Sequence, residues 1–261
     1  MIDKNKELYK RHDIVQSYVN NNGLALPEKT IFALLSNALP QMRMLDIGIG
    51  GGRTTYYFVP LVKDYVGTDY AEEMIVACKE RFSKEKELSF YTCDVRDMSI
   101  FPDSSFDFIL FSFNGLDYIS HKDRLKALKD IQRVAKKDAL FCFSSHNIEY
   151  LHKLFELKSL IGWNPKKSIR KIKKWQKLRK MYSNEEYQKL KSSQYSFFLD
   201  GSHDFSLKTY YIKPAYQIQQ LENNGFSDIQ LYSLATGEKI DRKIDLNKID
   251  DAYIYYLCKA V

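Results

Sequence analysis

The sequence predicts an α/β fold in which a parallel sheet carries helices on both faces. Three observations support this prediction. Short apolar runs alternate along the chain with segments of helical spacing, which is typical of parallel sheets. The first apolar run, residues 42–47, ends at a cluster of glycines, and a helix-like segment follows. The run that begins at Phe106 is almost entirely apolar, as expected of a strand that is buried on both faces.

The glycine cluster follows the pattern D-x-G-x-G-x-G, formed by Asp46, Gly48, Gly50 and Gly52. Glycine lets a backbone turn sharply and approach a ligand closely. The dinucleotide-binding pattern G-x-G-x-x-G does not fit, because Arg53 stands where its third glycine would be. The pattern alone leaves two interpretations open, a cofactor-binding turn or a tight strand–helix turn without a ligand.

Polar residues also stand where the next three apolar runs end. Asp69 closes the second run, about twenty residues after the glycines, where an acid in a doubly wound sheet accepts hydrogen bonds from ribose hydroxyls. Asp94 and Val95 close the third run, and Asn114 and Gly115 close the fourth. Because parallel strands end at one edge of a sheet, these residues predict a single site there.

Together, the four strand ends resemble the class I S-adenosylmethionine-dependent methyltransferases, strongly over residues 40–145 and more loosely over 214–261. The resemblance implies a Rossmann-like, doubly wound sheet of seven strands, six parallel and one antiparallel. It implies S-adenosyl-L-methionine as cofactor and S-adenosyl-L-homocysteine as product. Asp69 would accept from the ribose, Asp94 from the adenine amino group, and the N–H of Val95 would meet a ring nitrogen. The implied cofactor-binding residues are Asp46, Gly48, Gly50, Gly52, Asp69, Asp94, Val95 and Phe111.

The same alternation divides the chain into three regions. Residues 1–39 are predicted to form N-terminal helices, and residues 40–146 together with 213–261 the cofactor-binding domain. The resemblance implies that the tail of this domain is an antiparallel pair of strands. Residues 147–212 interrupt the pattern after the fifth strand and are predicted to form a helical insert or lid that is basic and rich in aromatic residues. We call this segment the insert. In the methyltransferases, an insert at this place commonly folds over the active site and selects the substrate.

Composition limits the remaining choices. The four cysteines lie far apart without a C-x-x-C spacing, so no metal site is expected, and three of the four lie in apolar runs, which suggests a reducing cytoplasm. The N-terminus is charged and does not resemble a signal peptide. No apolar run approaches the ~20 residues that a membrane-spanning helix needs.

Positive charge is concentrated in the insert. Residues 150–195 contain thirteen Lys or Arg and three Asp or Glu, whereas the whole chain carries +7. Residues 166–182 have an apolar residue at every third position, which predicts an amphipathic helix with a basic outer face. Such a face is compatible with simple solvation, with attraction of an acidic substrate, or with binding to nucleic acid or an acidic lipid surface.

Methyl transfer from a sulfonium requires alignment of a nucleophile, and a hydroxyl nucleophile also requires a general base. His146 at the end of the fifth strand and His203 in the insert are candidate bases. Asn114 is expected near the transferring methyl, and Asp117 could pair with a substrate ammonium. The predicted catalytic residues are His146, Asn114 and Asp117.

The sequence therefore predicts an enzyme that methylates N or O of a small molecule, with a sugar or nucleotide-sugar as the first hypothesis. One alternative is an RNA or protein methyltransferase that uses the basic insert, so a nucleic-acid partner stays open. The other is a partner subunit that binds S-adenosylmethionine without catalysis. Neither the oligomeric state nor the choice between N- and O-methylation follows from the sequence.

Overall fold

The computed structural model of the protein describes residues 4–85, 88–156, 165–241 and 243–261. Within these residues, ten strands form one sheet. In chain order, the strands are β1 (Arg43–Ile47), β2 (Asp64–Asp69), β3 (Ser89–Thr92), β4 (Phe106–Phe111), β5 (Ala135–Asn147), β6 (Tyr195–Phe198), β7 (Thr209–Ile212), β8 (Phe226–Ser233), β9 (Lys239–Ile240) and β10 (Tyr253–Ala260).

Helices lie between most of the strands, as the alternation predicted. The described α-helices are α1 (Lys4–Tyr9), α2 (His12–Val19), α3 (Leu26–Leu35), α4 (Thr55–Phe58), α5 (Glu72–Arg81), α6 (His121–Val134), α7 (Leu151–Phe155), α8 (Pro165–Met181), α9 (Asn184–Ser192) and α10 (Pro214–Glu222). The helix predicted after the glycine turn is short, since α4 has four residues. The predicted basic helix is present as α8.

The sheet follows the order β3-β2-β1-β4-β5-β10-β8-β9. Strands β1 to β5 run parallel to their neighbours, and β10 lies antiparallel between β5 and β8. The predicted frame of six parallel strands and one antiparallel strand is therefore confirmed. Strand β10 therefore lies beside the fifth strand, and β8 with the short β9 forms this edge of the sheet.

The strand count is larger than the predicted seven because three short strands add to this frame. Strand β5 continues past the end of β4, so His146 and Asn147 pair with Tyr211 and Ile212 of β7. Strand β6 pairs antiparallel with β7, and the two-residue β9 extends β8. The insert is therefore not purely helical, since two of its strands continue the sheet at the edge where the parallel strands end.

The core has a layer on each face of the sheet, and β4 serves both. Phe106 and Ile109 lie in the cluster that includes α6 and α10, while Phe108 and Leu110 lie in the cluster that includes α3 and α5. All four are buried, which explains why this strand reads as a continuous apolar run.

The insert has a small core of its own. Its buried members come from α7, α8 and the two added strands, with Ile148 at the start; they are Ile148, Leu151, Phe155, Leu178, Phe198 and Tyr211. The hydroxyl of Tyr211 donates to the buried Asp200 (2.9 Å). The insert is thereby packed onto the end of β5, which places it beside the edge where β1 to β4 end.

Candidate functional site

A cleft lies at the carboxyl ends of β1 to β4 and contains about 820 Å³ of empty space, part of it open to solvent. Six of the predicted site residues line it, namely Gly48, Gly50, Asp69, Asp94, Val95 and Phe111. The structure thus gathers the ends of four strands around one cavity, as expected at the topological switch point of an open α/β sheet.

The glycine turn forms the floor of the cleft beside β1. Gly48 and Gly50 have positive φ angles of 66° and 53°, a conformation that side chains rarely tolerate. A Cβ at Gly48 would lie 2.8 Å from the ring of Phe111, which is another lining residue. Gly52 also has positive φ, but a Cβ there would meet Phe82 at 2.4 Å. The first two glycines therefore shape the cavity, whereas Gly52 permits packing of the turn against the residue after α5.

An N-terminal helix closes over the same turn, which the sequence patterns did not reveal. A Cβ at Gly51 would lie 2.3 Å from the backbone nitrogen of Val19 at the end of α2. Arg81 fixes this contact, because its Nη1 donates to the carbonyl oxygens of Gly51 (2.6 Å) and Val19 (3.0 Å). The glycine at position 51 is thus explained by a neighbouring backbone rather than by a ligand.

Asp46 was predicted to bind the cofactor, but the structure does not place it in the cleft. Its Oδ2 accepts hydrogen bonds from the hydroxyls of Thr54 (2.5 Å) and Tyr65 (2.8 Å), and the side chain is buried. Burial raises the pKa of this carboxyl to about 7. Because both partners belong to the elements that flank the glycine turn, Asp46 holds the turn from behind.

Asp69 ends β2 inside the cleft. Its Oδ2 accepts from the backbone N–H of Gly50 (3.0 Å) and its Oδ1 from that of Ala71 (2.9 Å). Burial raises the pKa of Asp69 to about 6, against the lowering effect of these bonds. A carboxylate oxygen can accept more than one hydrogen bond, so Asp69 both fixes the glycine turn and presents acceptor capacity to the cavity.

Asp94 and Val95 line the far end of the cleft together with Arg96. Arg96 donates to Asp94 from its backbone nitrogen (2.9 Å) and from its guanidinium, the shortest of these bonds being 2.6 Å from Nη2. Asp94 is therefore one half of an ion pair between partly exposed side chains. Sequence reasoning missed Arg96, although its place two residues after the acid could have suggested this pairing.

The end of β4 is strained. Phe113 and Asn114 have φ angles of 55° and 62°, which is rare for a bulky residue such as Phe. Phe113 lines the cleft and remains 44% exposed. Asn114 does not line it; its backbone N–H donates to the hydroxyl of Ser144 (2.9 Å), and its Oδ1 is buried without a partner among the described residues.

A buried ion pair supports this strained turn. The guanidinium of Arg53 donates to both carboxylate oxygens of Glu28 (2.6 and 2.7 Å) and lies 4.3 Å from the centre of the Phe113 ring. The hydroxyls of Ser112 and Tyr255 also donate to Glu28. The network joins α3, the glycine turn, β4 and β10, and the sequence carries no local signal of it.

His146 and Asp117 lie in direct contact beside the cleft. The Nδ1 of His146 and its backbone N–H each lie 2.7 Å from Oδ2 of Asp117. The other oxygen accepts from Arg124 (2.8 Å) and Ser145 (2.7 Å), and the side chains of Asp117 and Arg124 are fully buried. Because Asp117 is surrounded by these donors, the expected pairing with a substrate ammonium does not fit its position.

Aromatic side chains form the outer wall of the cleft. Tyr9 and Tyr18 reach it from α1 and α2, Tyr70 from the end of β2, and Tyr118 from the turn after β4. Burial raises the pKa of each residue in the α1–α2 pair. The N-terminal helices predicted for residues 1–39 therefore contribute to the cavity, which their sequence did not indicate.

The insert reaches the cleft through Tyr118, whose hydroxyl is hydrogen-bonded to the side chain of Ser202. The neighbouring Gly201 lies against the aliphatic stem of Lys174 on α8, where a Cβ would be 2.3 Å from the lysine Cε. The basic helix is thus one loop away from the cavity. His203 lies in the same loop, but its side chain falls outside what the structure describes.

Comparison with known proteins agrees with this geometry. The family model described as "Methyltransferase domain" matches residues 44–138. An uncharacterized methyltransferase of Bacillus subtilis (strain 168), YcgJ, is 30% identical over 145 residues, which are 55% of this chain and 53% of that protein. The chain thus aligns with about half the length of this relative.

Solved structures share the fold at low identity. An S-adenosylmethionine-dependent methyltransferase from Mesorhizobium loti superposes with a TM-score of 0.61 at 13% identity, over 89% of this chain and 97% of that one. A 1,6-didemethyltoxoflavin-N1-methyltransferase from Burkholderia thailandensis superposes with a TM-score of 0.59 at 13% identity, over 99% and 87% of the chains.

The family model assigns a methyltransferase domain to residues 44–138, and the chain shares the fold of S-adenosylmethionine-dependent methyltransferases, as its motifs predicted. These similarities support S-adenosyl-L-methionine as the cofactor. No helix among the described residues combines the length and the apolar character needed to cross a membrane.

Proposed function

We propose that this protein transfers a methyl group from S-adenosylmethionine to N or O of a small molecule. The observation that carries the proposal is the enclosure of the cleft. Tyrosines of α1 and α2 cover the cofactor side, and the insert packs beside the end of β5. A cavity walled in this way suits a small acceptor better than a polymer, because a small molecule can enter it whole.

The lining residues fit the chemistry of the cofactor. Gly48 and Gly50 leave room for its methionine part, Asp69 offers acceptor oxygens for the ribose, and Val95 follows Asp94 at the adenine end. Because Asp94 carries Arg96, adenine would meet an ion pair rather than a lone acid. When bound, the cofactor supplies an electrophilic sulfonium methyl; the chain must align the nucleophile and exclude water.

We assign Asp46 and Gly52 to support of the glycine turn, and we keep Phe111 as a wall of the methionine region. Asn114 lies next to lining residues Phe113 and Gly115, so we place it near the transferring methyl through its backbone. The domain boundaries of the sequence analysis are retained in this proposal, with the insert acting on the acceptor side.

A sugar or nucleotide-sugar is the acceptor we favour. Aromatic faces suit sugar rings, and Tyr118, Tyr211 and Tyr253 lie along the acceptor side of the site. All four cysteines are unpaired and buried, which supports a reducing compartment such as the cytoplasm as the place of action.

Tritiated methyl transfer tests the proposal. The full chain is incubated with tritiated cofactor and with separate small-molecule, RNA and protein fractions of a cell extract. We expect label in the small-molecule fraction and none with Asp69→Ala as the binding-deficient control. Calorimetry should show binding of S-adenosylhomocysteine and no response to NAD. Cofactor binding without label in any fraction would instead identify a non-catalytic subunit.

A second candidate, methylation of RNA, is favoured by one observation. Helix α8 exposes Lys171, Lys173, Lys177, Arg179 and Lys180, and none of these forms an ion pair among the described residues. Such a face could neutralise phosphates, in which case affinity would fall steeply with salt.

A quadruple Lys→Gln variant separates the candidates. Replacing Lys171, Lys173, Lys174 and Lys177 should leave the affinity for S-adenosylhomocysteine unchanged. With an acidic small acceptor, the variant should raise KM with modest salt dependence. Tight, salt-sensitive RNA binding that the variant abolishes would promote the second candidate. The matched control replaces four exposed lysines outside the insert, namely Lys29, Lys79, Lys84 and Lys137.

A further inference from the structure

We propose that His146 and Asp117 form a general-base pair and that the methyl acceptor is therefore a hydroxyl. The inference rests on the proposed function and narrows its choice between N and O. It assigns Asp117 the part of a positioning residue for His146, in place of the substrate contact that the sequence suggested.

The contacts of the His146 ring define its tautomer and its orientation. Asp117 Oδ2 lies 2.7 Å from His146 Nδ1. Because a carboxylate only accepts hydrogen bonds, Nδ1 carries a proton, and this contact selects the tautomer whose lone pair lies on Nε2. Oδ1 of the same carboxylate accepts from Arg124 and Ser145, and Oδ2 also accepts the backbone N–H of His146. The orientation of the ring is thus fixed from several sides.

Two tyrosine rings surround the other ring nitrogen of His146, Nε2. The ring of His146 lies between Tyr211 (centroid distance 4.9 Å) and Tyr253 (5.8 Å), and its side chain remains 12% exposed. Within the described part of the chain, no hydrogen bond occupies Nε2. Tyr253 in turn contacts Phe113 (6.4 Å), a wall of the cleft. His146 is therefore linked through Tyr253 to the wall of the cleft, and we place its Nε2 on the acceptor side.

A ring nitrogen with a free lone pair can accept the proton of a hydroxyl group. A hydroxyl oxygen is a poor nucleophile while protonated, whereas a neutral amine already has its lone pair. In the transfer, a bond forms between the hydroxyl oxygen and the methyl carbon, and the hydroxyl proton passes to Nε2. The sulfur–methyl bond breaks with its electron pair staying on sulfur, which gives the thioether product. A fixed base is needed for this reaction and not for an amine.

The charged and titratable groups around His146 come from each element that packs on it. Asp117 lies in the turn after β4 and Arg124 on α6, while Tyr211 and Tyr253 belong to β7 and β10. Asp200 is one contact further, through the hydroxyl of Tyr211. The Arg124 guanidinium balances the Asp117 carboxylate, so the pair adds no uncompensated charge to the buried region.

The experiment uses the full chain, cofactor with a ¹³C-labelled methyl, and the small-molecule fraction of a cell extract as acceptor source. We expect NMR of the product to show an O-methyl group. His146→Gln should lower kcat roughly 10²–10⁴-fold with unchanged affinity for S-adenosylhomocysteine, and added imidazole should restore part of the rate to His146→Ala. The matched control is His152→Gln, because His152 bonds to the backbone oxygen of Glu149 and lies apart from the pair.

The role of Asp117 has a spectroscopic readout. Long-range ¹H–¹⁵N spectra of the wild type should show the proton of His146 on Nδ1, and Asp117→Asn should change this tautomer, as well as kcat, while S-adenosylhomocysteine still binds. An N-methyl product, or full activity of His146→Ala, would overturn the inference and leave the proposed function standing. Cofactor binding without transfer to any fraction would overturn both.

Discussion

The carboxyl of Asp69 should make cofactor affinity depend on pH in the mildly acidic range. Burial raises its pKa to about 6, above the usual value of 3.8. In the proposed site, ribose hydroxyls would donate to the ionised form, so affinity should be full above this pKa and should fall below it. Near pH 5 roughly a tenth of the groups are ionised in the free protein, which predicts about a tenfold weaker Kd for S-adenosylhomocysteine than near pH 7.5, or about 1.4 kcal/mol.

The free energy of unfolding should respond in the opposite direction. A folded-state pKa above the unfolded value contributes stability that is present below about pH 4 and is lost as the pH rises through about 6. Acidification over this window therefore stabilises the free protein through Asp69 while it weakens cofactor binding. Asp46, whose pKa burial raises to about 7, changes the free energy of unfolding with the same sign but does not line the cleft. The effect on binding is therefore the one that identifies Asp69.

The assay is calorimetric titration of S-adenosylhomocysteine at several pH values. Asp69→Asn lacks the titrating carboxyl, so this variant reports the pH dependence that comes from the ligand's own groups. Asp69→Ala should weaken binding by roughly 2–3 kcal/mol near neutral pH, because a charged acceptor is lost. Asp64→Asn is the matched control, since Asp64 lies at the other end of β2 in a partly exposed pair with Arg43. A wild-type Kd that is flat across this range, or an equal slope in Asp69→Asn, would refute the reasoning.

Two further predictions concern the supports of the cleft. Glu28→Ala leaves Arg53 buried without its partner, so urea denaturation should show that the free energy of unfolding falls by about 3–5 kcal/mol. The control is Glu7→Ala, which breaks an exposed ion pair and should cost less than about 1 kcal/mol. Equal losses in the two variants would contradict the assignment. Gly51→Ala places a Cβ against the backbone of Val19. This substitution should lower the free energy of unfolding by about 1–3 kcal/mol and weaken cofactor binding, because α2 must shift. Unchanged denaturation and binding would show that α2 can move without cost.

The sequence predicted what depends on neighbouring residues. The apolar run of β4 and the acids at the ends of β2 and β3 are local patterns, and the strand order of the parallel half follows from general rules of connection. Asp69 and Asp94 could therefore be assigned to one edge of the sheet before any contact was known. Their presence in a single cleft agrees with that reasoning.

Contacts between distant parts of the chain were beyond such patterns. Glu28 and Arg53 are 25 residues apart, and Asp117 and His146 are 29 apart. Nothing in the residues between them specifies these pairs, because side chains meet only after helices and strands have packed. For the same reason, Asp46 could not be distinguished from Asp69 by sequence, although one faces Thr54 behind the turn and the other faces the cavity.

Phe113 connects these distant contacts to the candidate site. A positive φ in a bulky residue costs about 1–3 kcal/mol, and the contacts of the ring with Arg53 and Tyr253 help to hold this conformation. The same ring lines the cleft and contacts Tyr253, which in turn contacts His146. Loss of the Glu28 carboxylate should therefore affect the site as well as the free energy of unfolding. Once Arg53 is free to move, Phe113 can relax, and the cleft and the surroundings of His146 should both change shape. Weaker binding of S-adenosylhomocysteine by folded Glu28→Ala, measured well below its unfolding midpoint, is the expected sign of this coupling, and wild-type affinity would show that Phe113 holds its position without the ion pair.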